Sequence, residues 1–261
     1  MKNDLLHIGP LVIHGYGLMI AIGIMAAYLT VEYRAKKKNM NYELIFNLTI
    51  WCAVGGIIGA KLLYILTQIR SIIADPSTLL GELAEGFVVY GGIIGGILAG
   101  YLFCKKYKLN FLKYFDLVMP SIALAQGFGR IGCLLAGCCY GVETKSAFSL
   151  VFPNSAYAPN HVHLVPTQPI SSVLDFLNFF VLLFLSSKVK KDGMIAGFYL
   201  VFYGVGRFII EFFRGDLERG SIAGLSTSQF ISIFIFFFGV AILLIRGLTP
   251  ANVSADEDKE D

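Results

Sequence analysis

The sequence predicts an all-α integral membrane protein: about seven transmembrane helices, the N-terminus outside, the C-terminus in the cytoplasm, and a small extracytoplasmic cap. Three observations carry this reading. Hydrophobic residues make up 56% of the 261-residue chain and charged residues only 15%, whereas a soluble domain carries about a quarter charged. Apolar stretches of roughly the 20 residues that cross a bilayer recur at 12–33, 44–66, 87–104, 115–135, 170–187, 194–213 and 228–246. Lys and Arg also alternate in density between successive connections, as expected when basic loops stay in the cytoplasm.

Taken in order, the stretch 12–33 runs straight into Arg34, Lys36, Lys37 and Lys38 and has no basic leader beyond Lys2. It is therefore expected to remain as a span and not to be cleaved as a signal peptide. The same family of connections holds Lys105, Lys106, Lys108, Lys113, Lys188, Lys190, Lys191 and Arg246; the opposite family holds mainly Lys2, Arg70, Lys145, Arg214 and Arg219. Placing the richer family inside sets the orientation. In the second and third spans, Gly55-Gly-Ile-Ile-Gly59 and Gly91-Gly-Ile-Ile-Gly-Gly96 let helix backbones approach closely in lipid, and helix packing is favoured over a ligand role. Lys61 sits within the second span and either snorkels outward or reaches a polar cavity.

Two outside segments are long enough to be structured. One covers about 68–86 and is amphipathic and mildly acidic; the other covers 137–169 with Pro153, Pro159, Pro166, Pro169, His161 and His163. Such proline content does not belong in a bilayer core, so 137–169 is the expected cap. With no internal repeat, residues 1–250 read as one transmembrane domain, and 251–261 as an acidic, disordered cytoplasmic tail. The net charge of +3 is then a topology signal, and no nucleic-acid partner is implied.

Chemistry concentrates in two places. Tyr203, Arg207, Glu211 and Arg214 are spaced by four, four and three, which on one continuous helix confines them to an arc of about 80°. Ionisable groups on a membrane helix are costly and normally face a polar site. The second cluster is Gln126-Gly-Phe-Gly-Arg-Ile-Gly-Cys-Leu-Leu-Ala-Gly-Cys-Cys-Tyr-Gly141, where Gln126 and Arg130 share a helix face. Gly129 and its neighbours leave the Arg130 guanidinium open to something large. Two arginines on different spans suggest a paired anion clamp, and the planar guanidinium fork suits phosphate. The bland alternative is that Arg130 only anchors at the headgroup level.

The chain resembles the prolipoprotein diacylglyceryl transferase family over most of its length. The resemblance rests on Tyr16-Gly-Leu-Met, the Gly55–Tyr64 pattern, Tyr90-Gly-Gly-Ile-Ile-Gly, Gly129-Arg-Ile-Gly132, Pro166-Thr-Gln168, Tyr203 through Arg214, and Leu225-Ser-Thr-Ser-Gln229, in the family's order. It implies transfer of the diacylglyceryl group of phosphatidylglycerol to the lipobox cysteine of a prolipoprotein, at the outer face of the bacterial cytoplasmic membrane, by a monomer without a cofactor. It implies catalytic roles for Arg130, Arg207, Tyr90 and Tyr203. Tyr16, Lys61, Gln126, Gly129, Glu211 and Arg214 would bind substrate, with Glu211 holding Arg207 or Arg214 in place.

Two departures bear on mechanism. Tyr90 stands where the family often has His, and a phenol with pKa about 10 is a weak base at neutral pH. Either no strong base is needed, or His14, His161 or His163 supplies it. The signature's Gly-Asn-x-x-Asn-x-Glu is Gly132-Cys-Leu-Leu-Ala-Gly-Cys138 here. Cys133, Cys138 and Cys139, with His161 and His163 downstream, permit a Zn2+ site or a disulfide. Adjacent Cys138-Cys139 do not match the usual ligand spacing, so packing is favoured and no metal is expected. A membrane metal- or thiol-binding protein is one rival reading; a transporter is another, weakened by the absence of a repeat or a broken helix pair.

Overall fold

The computed structural model describes residues 4–8, 11–74, 86–216, 221–222 and 224–248. The expected acidic tail and most of the segment 68–86 lie outside the described residues, apart from a short helix noted below. In chain order the described elements are strands β1 (Asp4–Ile8) and β2 (Leu11–His14), then helices α1 (Gly15–Lys37), α2 (Glu43–Thr67), α3 (Ile69–Ala74), α4 (Val89–Lys106) and α5 (Phe111–Ala136). Strands β3 (Leu150–Val151) and β4 (His163–Leu164) follow, then α6 (Thr167–Lys188), α7 (Met194–Glu211), β5 (Ser221–Ile222), β6 (Leu225–Ser226) and α8 (Thr227–Leu248).

Long helices cover all seven expected stretches, and six of them are long and apolar enough to cross a membrane. The helix over the third stretch, α4, is not among the six. It is 18 residues long, rich in glycine, and ends on Lys105 and Lys106, which lowers its mean apolarity. The first span starts later than the apolar run suggests. Residues 11–14 pair antiparallel with 4–8 as a hairpin, and the helix begins at Gly15.

The chain divides into two compact units, residues 31–114 and residues 1–30 with 115–261. In the first, the glycine runs do what their spacing implies. A Cβ added at Gly59 would strike the Gly91 carbonyl oxygen, and one at Gly95 would strike that of Gly55. The α2 and α4 backbones therefore touch, and no larger residue fits between them. Lys61 donates to the Gly86 carbonyl at 2.9 Å, with its ammonium 4.4 Å from the centre of the Phe87 ring.

In the second unit a core of Met119, Ala123, Phe179, Leu182, Ile195, Ala196 and Tyr199 joins α5, α6 and α7. The start of α7 is fixed from α5. Asp116 is buried, and its carboxylate accepts from the backbone N–H groups of Gly193 at 2.7 Å and Ala196 at 2.8 Å. It thus caps a helix N-terminus that has no side-chain cap of its own. Helices α7 and α8 approach at glycines: a Cβ on Gly204 would lie 3.0 Å from the Ser232 carbonyl. Helix α8 opens with a capping box, in which Gln229 N–H donates to Ser226 Oγ and Ser226 N–H to Gln229 Oε1, both at 3.1 Å. Between α5 and α6, residues 137–166 fold around the paired β3 and β4, with a small core of Phe152, Ala158 and Leu164.

Candidate functional site

A cavity of about 760 Å³ runs alongside α6 and α7 in the second unit. Its walls are apolar, with Leu174, Leu177 and Val181 from α6 and Val201, Phe202, Val205 and Ile209 from α7. Polar and charged side chains interrupt that lining where chemistry is possible: Arg130, Ser171, Asp175, Asn178, Tyr203 and Arg207. Two guanidiniums from different helices therefore face one apolar space.

The two arginines are held differently. Arg207 Nη2 donates to Ser228 Oγ at 2.8 Å and lies 2.8 Å from Glu211 Oε2, one turn along the same helix. Glu211 is itself fixed, because Ser226 Oγ donates to its Oε1 at 2.9 Å. The capping box of α8 thus presents Ser226 and Ser228 to the α7 ion pair. One end of the guanidinium is left over. Arg207 Nη1 is buried and makes no hydrogen bond among the described residues, an arrangement that costs about 1–3 kcal/mol unless an acceptor arrives. Asn178 Oδ1 is orphaned in the same way. Arg130, by contrast, meets a distant carboxylate, Asp175 Oδ2 at 3.8 Å from its Nε, and both side chains are partly exposed.

Tyr203 lines the cavity and stacks on Tyr199 with ring centres 5.9 Å apart. Gln126 lies behind that pair: its Oε1 accepts from the Tyr199 phenol OH at 3.0 Å. Gln126 and Gly129 are not in the cavity lining. Tyr16 packs against α5 at Gly132, where a Cβ would lie 3.2 Å from its ring. Tyr90 and Lys61 belong to the other unit.

Arg214 departs from the expected stripe because α7 stops at Glu211. Beyond that end, residue 214 bridges to Gly141, and its guanidinium holds Asp216 through Nε at 2.8 Å and through Nη2. Burial opposes its charge, but the Asp216 carboxylate raises its pKa above the usual arginine value. Val142 N–H to Phe213 O at 2.9 Å and Gly215 N–H to Tyr140 O at 3.0 Å complete the junction. Arg214 therefore ties the end of α7 to the segment after α5, and Glu211 Oε2 is 3.9 Å away.

The three neighbouring cysteines converge. The thiols of Cys133, Cys138 and Cys139 lie within 4.8 Å of one another, and none is in a disulfide. Hydrogen bonding with Cys133 and then Cys138, reinforced by the Arg214 charge, pulls the Cys139 thiol far below its usual range; Cys133 and then Cys139 push Cys138 up. His161 and His163 are not part of this group, and His163 Nδ1 lies 2.7 Å from Ser149 Oγ.

Sequence reasoning missed Asp175, Asn178 and Ser228. For Asp175 there was a signal, a carboxylate in the middle of the 170–187 apolar stretch, which in a span marks a functional position by default. Asn178, one turn further on, carries the same signal more faintly. Ser228 lies inside the Leu225-Ser-Thr-Ser-Gln229 motif, but serine at the start of a helix ordinarily reads as a cap.

Comparison with known proteins gives a consistent picture. A profile described as prolipoprotein diacylglyceryl transferase matches residues 3–245. A Clostridium tetani protein named phosphatidylglycerol–prolipoprotein diacylglyceryl transferase is 51% identical, across 94% of this chain and 98% of its own. A Clostridium perfringens protein with that name and the number 2 is 47% identical, across 95% and 96%. A Rickettsia conorii protein of the same name is 34% identical, across 89% and 92%.

Proposed function

The chain belongs to the prolipoprotein diacylglyceryl transferase family, and from that premise we propose that it moves the diacylglyceryl group of phosphatidylglycerol onto the lipobox cysteine thiol of prolipoproteins. The observation that supports this for the chain's own residues is the cavity: an apolar space beside α6 and α7, fitted for acyl chains, with Arg130 and Arg207 at hand for one phosphate. A soluble substrate would have little use for so apolar a lining.

In this reading the thiol sulfur attacks the glyceryl carbon that carries the phosphodiester oxygen. The carbon–oxygen bond breaks, a thioether forms, the thiol proton is lost, and glycerol phosphate leaves. Charge grows on the departing phosphate, so donors aimed there lower the barrier. Arg207 Nη1, buried and without a partner, supplies one such donor. Arg130 supplies the second when it exchanges Asp175 for the phosphate. The Asn178 amide oxygen accepts from a hydroxyl of the glycerol headgroup, and the Tyr203 phenol orients that headgroup. A lipobox thiol with pKa about 8.5 ionises partly at neutral pH, so the burden on a general base is small. Tyr90, Lys61 and Tyr16 keep their proposed roles toward the substrates.

The active face lies toward the outer leaflet of the cytoplasmic membrane, and α4 crosses with the six longer helices, which puts the two termini on opposite sides. The proposed working form is a monomer. The test uses purified protein in detergent, phosphatidylglycerol labelled in its diacylglyceryl group, and a peptide bearing a lipobox cysteine. Label on the peptide together with released glycerol phosphate is expected; a folded, lipid-bound protein that transfers nothing overturns the proposal. A reporter fused after Asp261 reads out in the cytoplasm, and external accessibility there inverts the topology.

A further inference from the structure

The cysteine trio is assembled by the backbone, step by step. At the end of α5 the N–H of Gly137 donates to Leu134 O at 3.2 Å and that of Cys138 to Cys133 O at 3.1 Å. This pair of bonds around a left-handed glycine, Gly137 with φ +75°, is a Schellman motif, which brings the side chains of its first and last residues together. Those residues are Cys133 and Cys138. The next residue, Cys139, also adopts a left-handed conformation, φ +61°. That is unfavourable for a residue bearing a Cβ, and it folds the third thiol back onto the other two.

The surroundings hold this geometry in place. Gln168 Nε2 donates to Cys138 O and Thr167 Oγ1 to Cys139 O, each at 2.9 Å, and both side chains are fully buried. A strained turn secured by two buried hydrogen bonds is more than loose packing needs. The adjacent pair fails the usual ligand-spacing rule only for a chain that continues straight, and here it reverses at Gly137 and Cys139. Three thiolates around a divalent cation leave one negative charge, and the Arg214 guanidinium beside Cys139 offsets it. All three residues are half-buried, which leaves room for water as a fourth ligand.

We propose that Cys133, Cys138 and Cys139 form a three-thiolate site for Zn2+, completed by a water, that clips the end of α5 to the segment carrying Arg214. Soft thiolate donors select such d10 ions. Binding releases the thiol protons to solvent and involves no change of oxidation state. The proposal stands apart from the transfer reaction, because its readout is metal and not turnover.

The full-length protein in detergent, kept reduced, is titrated with Co2+ as a spectroscopic stand-in for Zn2+. One equivalent giving a thiolate-to-cobalt charge-transfer band, displaced by Zn2+, is expected. Cys133→Ser and Cys139→Ser should each weaken binding more than about 100-fold, beyond the 10–100-fold typical of losing an outer partner. The wild-type spectrum decides the matter even if a variant misfolds. No band at stoichiometric Co2+, a band unchanged in a variant carrying both Cys133→Ser and Cys139→Ser, or tight binding of Cu+ alone each overturns the Zn2+ assignment.

Discussion

Arg207→Lys separates charge from geometry at the site. Removing the side chain altogether is a poor experiment, because Glu211 is only 7% exposed and an uncompensated buried charge costs about 3–5 kcal/mol of stability. Lysine keeps the positive charge and can still pair with Glu211. It cannot also reach Ser228 and present a second, separate donor, as the guanidinium does through Nη2 and Nη1. The phosphate then loses one fixed donor at the moment its charge grows. Removing a single donor of this kind costs about 10²–10³ in kcat, or about 2.7–4 kcal/mol. Labelled-lipid transfer under saturating phosphatidylglycerol should show that loss in kcat, with thermal unfolding in detergent close to wild type. A folded Lys variant within about threefold of wild-type kcat would refute the assignment of Nη1 to the phosphate.

Other expectations follow from contacts of different kinds. Asp175→Asn frees Arg130 from its 3.8 Å partner; such partly exposed pairs are worth about 0–1 kcal/mol, so KM for phosphatidylglycerol should fall by up to about fivefold with kcat nearly kept, whereas a large loss of kcat would make Asp175 a base. Asn178→Leu should raise KM for phosphatidylglycerol more than for a lipid whose headgroup lacks hydroxyls, and equal effects on both would end the glycerol contact. Asp116→Ala removes the acceptor of two backbone N–H groups at the start of α7; hydrogen bonds to charged groups are worth about 1.5–3 kcal/mol each, so unfolding in detergent should drop by several degrees, and an unchanged midpoint would contradict the cap. Gly59→Ala should destabilise far more than Gly96→Ala, since the added Cβ meets the Gly91 carbonyl in one case and lies at an ordinary 3.5 Å from the Cys52 carbonyl in the other; similar melting of the two variants would undo the close approach of α2 and α4.

What was legible in the sequence was whatever repeats at a fixed local period. The long apolar runs became helices, the glycine runs became a helix contact, and Tyr203, Arg207 and Glu211 fell on one face because four-residue spacing forces it. Arg214 was placed on that face only by assuming that the helix continues; it ends at Glu211, and the arginine turns to Asp216. Asp175 and Asn178 matter because α6 packs where their side chains share a cavity with α7, which no local spacing encodes. The convergence of the three cysteines was not legible for a related reason. Ligand-spacing rules assume regular backbone, and here two left-handed residues redirect the chain within three positions.

The unequal treatment of the two arginines has a physical logic. A guanidinium that must stabilise growing charge has to be fixed beforehand, since reorganising it during the reaction would consume the benefit. Arg207 meets that demand: its carboxylate is anchored by Ser226, its Nη2 by Ser228, and only Nη1 remains. A guanidinium that must capture lipid arriving from a bilayer needs an exchangeable partner, because an isolated charge on a membrane helix is costly while the site is empty. Arg130 meets this second demand through its long contact with Asp175. In the proposed mechanism capture and stabilisation are divided between two helices, and the apolar lining would strengthen both by excluding water. The proposed mechanism then has an order: the phosphate displaces Asp175 from Arg130 first, and reaches Arg207 Nη1 as the acyl chains settle along α6 and α7.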